Sequence, residues 1–272
     1  MSMHDAAMRS AGEQLAALER VDERDWHADF QPAWSALGGI HGGTVVAVML
    51  NVAAQVGARR PAIASAHLHA PVVAGPVQLT AETVHTGGSA ASVIVSARQE
   101  KLCATALVLL EGASEHTPAV GMPLLSEGVP SIGPEQTGPL RLPVEALPPF
   151  SERIEIRPSG DTRPLGGGER AVLRAWIRPR EPIADEVARA AVLLDALAPS
   201  LFATWREPRA VPTIELTAHL APAAPLTEWS AISQRTVWWN ERYCVDEAEL
   251  CNEDGTLIAQ ARQRRRVLRA HR

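Results

Sequence analysis

The chain has 272 residues, 46% apolar and 21% charged, with a net charge of −5 at neutral pH. That length allows one large domain or two of about 100 to 150 residues, each able to bury a core, and the acidic balance argues against a nucleic-acid binder driven by counterion release. Cys103, Cys244 and Cys251 lie in strand-like apolar runs without C-x-x-C spacing, so neither a disulfide framework nor a zinc site is expected. The N-terminus lacks the apolar run of a signal peptide, and no stretch approaches the roughly 18 uninterrupted apolar residues of a membrane span. The expectation is a cytoplasmic protein with no membrane span and no metal.

An Ala/Leu/Glu-rich helix is predicted over residues 5–20, then a short strand at Trp26–Phe30. The glycine-rich turn through Gly38-Gly-Ile-His-Gly-Gly43 feeds Thr44–Val56, which is too long and continuous for a strand and reads as a buried helix ended by Gly57. Strands follow at 62–70, 76–85, 89–100 and 102–111, with turns at Ala74-Gly-Pro76 and Gly87-Gly88, as in an antiparallel meander. Residues 113–150 hold eight prolines, a composition that disfavours regular structure and suits a linker. The expected organisation is therefore an N-terminal unit over 1–112, a linker over 113–150 and a C-terminal unit over 151–272.

The second unit repeats the plan of the first. Strands are predicted at 151–157 and 171–178, a helix at 183–198, and strands at 213–220, 229–236, 242–251 and 256–268, with an Asp254-Gly255 turn before the last. Ala66-His-Leu echoes Ala218-His-Leu, Val48-Met-Leu-Asn51 echoes Val192-Leu-Leu-Asp195, and Leu102-Cys-Ala104 echoes Leu257-Ile-Ala259, at offsets of 152, 144 and 155 residues. A diverged repeat of about 100 residues follows, each copy a long apolar helix with a four-stranded meander.

The second helix contains one carboxylate that its surroundings do not explain. On a 3.6-residue period Asp195 shares its face with Ala184, Ala188 and Ala191. An ionised carboxylate among small apolar side chains needs hydrogen bonds, a changed proton affinity, or a chemical role. Exposure near Pro199 or a bond to backbone would account for it without function.

Together, the Trp34-Ser-x-x-Gly-Gly-x-His-Gly-Gly43 stretch, the two long helices and the two meanders resemble the double-hotdog acyl-CoA thioesterases of the thioesterase II type, over Trp34 to Val267. The resemblance implies an α+β fold of two tandem hotdog units, each a long central helix wrapped by an antiparallel β-sheet. It also implies hydrolysis of acyl-CoA to free acid and coenzyme A, with no cofactor because coenzyme A is part of the substrate. The family's water-holding trio falls on Asp195, Thr213 and Gln263. A carboxylate can act as general base, and a hydroxyl and an amide can fix the other contacts of the water. A glycine-rich helix start offers N–H donors to a developing oxyanion, which makes Gly42 and Gly43 the candidates; a tight turn alone would also explain them. Alternation puts Arg264 and Arg266 together on one strand face, where they could meet coenzyme A phosphates or serve as solvated edge charges.

By the repeat, the first-half counterparts are Asn51 for Asp195, approximately Ser65 for Thr213 and Val108 for Gln263, so one working site is expected. His41 reads better as a turn anchor than as a catalyst. Adjacent Trp238 and Trp239 should face opposite sides of their strand, one of them narrowing the acyl channel. No Gly-x-Ser-x-Gly elbow is present, against a covalent acyl-enzyme. The alternatives are a non-catalytic acyl or acyl-CoA binder on the same fold and a related hotdog hydratase or dehydratase, for which the sequence shows no matching Asp/His constellation. A homo-oligomer is compatible with either, and the sequence does not specify it.

Overall fold

The computed structural model describes residues 15–112, 129–142, 147–222 and 226–268. Helix α1 (Gly42–Gly57) forms despite its valines, whose χ1 stiffness favours strands, because every residue from Gly43 to Ala53 is buried; a helix apolar all round belongs in a core. It ends at Gly57, as expected, but the left-handed turn falls one residue later. Gly57 is needed for packing, since a Cβ there would lie 2.0 Å from Leu110 Cδ1, and the left-handed residue is Ala58, at φ 49°.

Among the described residues twelve strands follow in order: β1 (Ala16–Arg20), β2 (Asp25–Phe30), β3 (Arg60–Leu68), β4 (Gly75–Thr86), β5 (Ala90–Arg98), β6 (Leu102–Glu111), β7 (Ile154–Ser159), β8 (Val172–Pro179), β9 (Thr213–Leu220), β10 (Ser230–Trp239), β11 (Tyr243–Asn252) and β12 (Leu257–Arg266). They make one sheet in the order β1-β2-β4-β5-β6-β3-β9-β12-β11-β10-β8-β7. Every pairing is antiparallel. The halves join where β3 meets β9, with Ser65 opposite Thr217. Alternate strand residues are buried under α1 and under α2 (Glu186–Leu194), which pack against each other within one continuous apolar core.

Three expectations are corrected. Of the described part of the predicted N-terminal helix, Leu15–Arg20, only Leu15 is helical; Ala16–Arg20 is a strand paired with β2, with Leu15 and Ala16 buried, so tertiary pairing outweighs helix propensity; residues 5–14 lie outside the described residues. The second helix spans nine residues, not the predicted 183–198. Pro199 explains its early stop, because a helical proline clashes with the carbonyl four residues back, here that of Asp195. Finally, β10 runs on through both tryptophans with a bulge between Thr236 and Trp238. Trp238 and Trp239 are 39% and 57% exposed, so neither fills an internal channel.

In the predicted linker the described residues carry only short 3₁₀ turns at Pro134–Gln136 and Pro149–Glu152; residues 113–128 and 143–146 lie outside the described residues. No helix among the described residues is long and apolar enough to cross a membrane.

Candidate active site

Asp195 caps the C-terminus of α2, where the chain leaves the helix toward Pro199. The carbonyl that Pro199 prevents from joining a helical ladder accepts a hydrogen bond from His41 Nε2 at 2.9 Å. Because a carbonyl only accepts, the proton of His41 sits on Nε2, and Nδ1 accepts from the Thr44 hydroxyl at 3.1 Å. Phe150 stacks on the imidazole at 4.3 Å, and its backbone N–H donates to the Ser35 carbonyl at 3.0 Å, fixing the Pro149–Glu152 turn over the turn before α1. His41 Nε2 also lies 3.4 Å from Asp195 Oδ2. Asp195 and His41 are thus neighbours, and both ring nitrogens of His41 have partners within the protein.

The Asp195 side chain is 5% exposed, and both of its oxygens are held. Oδ2 accepts from the Gly43 N–H at 2.9 Å and Oδ1 from Arg265 Nη2 at 3.3 Å. The start of α1 therefore presents its positive dipole end to the carboxylate. Only glycine permits that approach: a Cβ on Gly43 would lie 2.6 Å from the Ala191 carbonyl oxygen, and one on Gly42 2.9 Å from Asp195 Oδ2.

On β12 the alternation that places Gln263 inward also turns Arg265 inward, at 1% and 4% exposure, while Arg262, Arg264 and Arg266 face outward. Gln263 Nε2 donates to the Leu194 carbonyl at 3.3 Å, and half-buried Thr213, at the start of β9, donates to Gln263 Oε1 at 3.3 Å. Arg265 Nη1 donates to Thr213 Oγ1 at 2.8 Å and its Nε to Asp246 Oδ2 at 3.0 Å. Asp246 on β11 is 1% exposed and accepts the Thr236 hydroxyl at 2.7 Å. Asp195, Thr213 and Gln263 are thus brought into one buried polar network, joined by Arg265 and Asp246.

Strand register sharpens the comparison between halves. Ala218 faces Ala261 on β12 as Ala66 faces Ala106 on β6, and both seams bulge before Arg265↔Thr213 and Leu110↔Pro61 respectively. Asp246 pairs with Gln263 as Val93 pairs with Val108. The first-half counterparts of Thr213, Gln263, Arg265 and Asp246 are therefore Pro61, Val108, Leu110 and Val93. Ser65 is not the equivalent of Thr213; it sits at the seam, its hydroxyl 3.5 Å from that of Thr217. Asn51, the counterpart of Asp195, accepts from Gln55 Nε2 at 2.7 Å.

Other candidates are placed differently. Gly43 spends its N–H on Asp195, which takes that donor away from an oxyanion. Arg264 and Arg266 lie on the sheet face opposite Gln263, where the Arg264 guanidinium stands 4.8 Å from the Tyr243 ring and 5.7 Å from that of Trp238. Arg265 and Asp246 escape the sequence reading, although the two-residue period that placed Gln263 inward also places Arg265 there. No comparable signal marks Asp246.

A single antiparallel sheet that buries two helices on one face, with a polar site where they meet, is the architecture of hotdog proteins. A conserved protein of unknown function with a hotdog fold from Alicyclobacillus acidocaldarius matches at TM-score 0.75 and 19% identity, covering 97% of this chain and 99% of that one. A structure assigned as thioesterase II from Thermobifida fusca YX matches at TM-score 0.81 and 21% identity, covering 95% and 97%. The acyl-CoA thioesterase II TesB2 of Mycobacterium marinum matches at TM-score 0.70 and 16% identity, covering 96% and 98%. No curated protein sequence matches the chain.

Family models settle what fold similarity alone does not. The acyl-CoA thioesterase N-terminal domain matches residues 30–110 and the C-terminal domain residues 127–267. The chain belongs to the acyl-CoA thioesterase family and, by that membership, is a thioester hydrolase.

Proposed function

We propose that the chain is built as two tandem hotdog units, over 1–112 and 151–272 with 113–150 between them, and hydrolyses acyl-CoA at a single site formed by Asp195, Thr213 and Gln263. The observation that carries this reading is the convergence of the three side chains in one buried network, set against Asn51, Pro61 and Val108 in the other half. An amide cannot serve as a carboxylate base, and proline and valine side chains form no hydrogen bonds.

In this reading Asp195 takes a proton from a water held by Thr213 and Gln263. The water oxygen bonds to the thioester carbonyl carbon, the C–S bond breaks, and the proton passes from Asp195 to the departing sulfur of coenzyme A. With the Gly43 N–H committed to Asp195, the Gly42 N–H is the donor left for the oxyanion. Arg264 and Arg266 are the proposed contacts for coenzyme A phosphates, reached around the strand ends. Their loss should raise KM and leave kcat in place.

The direct test is a scan of acyl-CoA substrates with thiol detection, comparing the native chain with Asp195→Asn. Thiol release that the substitution abolishes supports the hydrolase. Retained acyl-CoA affinity with no thiol release from the native chain would instead favour a binding protein on the same fold. The second reading, a dehydratase, draws on the 3.4 Å approach of His41 to Asp195. It is the weaker, because His41 is tied to Thr44 and the Asp195 backbone.

A further inference from the structure

Arg265 gives each of its three nitrogens to a different partner: Nε to Asp246, Nη1 to Thr213 and Nη2 to Asp195. A guanidinium only donates, so at that contact Thr213 Oγ1 accepts and its own hydrogen goes to Gln263 Oε1. The Leu194 carbonyl, which only accepts, holds Gln263 Nε2 at the other end and so fixes the amide's orientation. The bonds therefore run one way, from Arg265 through Thr213 and Gln263 to Leu194. One lone pair of Thr213 Oγ1 and one N–H of Gln263 are left over. A water meeting these groups would donate to Asp195 and Thr213 and accept from Gln263, keeping a lone pair for the carbonyl carbon.

The fold does not need an ion pair at this place. In the first half the equivalent positions are Leu110 and Val93, both 0% exposed. A buried charge pair is costly to desolvate, and apolar residues of similar volume are often as stabilising or more so. The second half carries the costlier solution where Asp195, Thr213 and Gln263 meet.

We propose that Arg265 is the positioning residue of this site, fixing the Asp195 carboxylate and the direction of the Thr213 hydroxyl from one guanidinium, with Asp246 as its buried anchor. The inference rests on the hydrolase reading above.

The experiment measures kcat and KM for thiol release by the native chain, Arg265→Gln, Arg265→Lys and Asp246→Asn, on an acyl-CoA that the native chain hydrolyses. Arg265→Gln should lower kcat about 100-fold with KM within about threefold, the pattern of a lost transition-state arrangement. Arg265→Lys, which restores the charge and one donor nitrogen, should recover about tenfold of that loss, and Asp246→Asn should lower kcat about tenfold at unchanged KM. A folded Arg265→Gln with kcat within about threefold of native, or a lysine variant no better than glutamine, overturns the proposal. Should Arg265→Gln not fold, Asp246→Asn decides, and kcat within about threefold of native overturns the proposal equally. A native chain that releases no thiol from any acyl-CoA overturns the hydrolase reading itself, and the role of Arg265 with it. That outcome is distinguished by the native measurement alone.

Discussion

The Gly43 N–H donates to Asp195 Oδ2 at 2.9 Å, so the start of one helix holds the carboxylate that ends the other, across 152 residues of sequence. The contact depends on a missing side chain. Gly43→Ala would set a Cβ 2.6 Å from the Ala191 carbonyl oxygen and 3.0 Å from Asp195 Cβ, forcing the helices apart at a cost of about 1–3 kcal/mol. Denaturant unfolding should show that loss, together with a fall in thiol release beyond what stability accounts for.

Thr213→Val and Gln263→Leu each break the network around Arg265 while keeping side-chain volume near native. Each should lower kcat about 10- to 100-fold, and the double variant should fall little further, because groups that act as a unit are non-additive. Independent, multiplying effects in steady-state kinetics would argue against a shared water.

Glu155 predicts an acid-labile component of stability. Burial alone would push its carboxyl up, but the hydrogen bonds and charges of Arg178 and Arg157 outweigh that and hold it below the usual carboxylate range. A depressed folded value means stability that is fully present above the unfolded carboxylate pKa and lost as pH falls through the folded value. Glu155→Gln should therefore be less stable than native at neutral pH, with the difference vanishing in acid. Thermal melts across that range check it, and a gap that persists below the carboxylate range would contradict the assignment.

Cys244 and Cys251 should be inert in the native state. Burial, reinforced by Asp246, pushes Cys244 up to about 12, and burial with Glu249 does the same to Cys251, so neither supplies appreciable thiolate near neutrality. A disulfide reagent at mildly alkaline pH should label both slowly until the protein is unfolded. Thiol-release assays can then be read without a background from these two residues.

The fold was legible where period and turn chemistry agree. The bounds of β6 and β9, the α1 helix and the repeat all follow from pattern. The misreadings share a cause, in that a local signal met a tertiary one. Ala16–Arg20 has helix composition but completes a sheet edge against β2, and the bulge between Thr236 and Trp238 shifts the strand register, leaving Trp238 beside Arg264 on the outer face and Trp239 exposed near the strand end. Within the candidate site, residue types marked Asp195, Thr213 and Gln263, whereas Arg265 lay hidden among four arginines at 262 and 264–266, of which it alone shares the inward period of Gln263. Asp246 becomes visible only once β11 is paired with β12.

The central claim is a single working site in the second half, and the asymmetry between Asp195 and Asn51 tests it most directly. Thiol release from an acyl-CoA would be measured for the native chain, Asp195→Asn and Asn51→Ala. Loss of a general base predicts a fall in kcat of about 10²- to 10⁴-fold for Asp195→Asn, with Asn51→Ala within about threefold of native. Hydrolysis that survives Asp195→Asn but is abolished by Asn51→Ala would contradict the account.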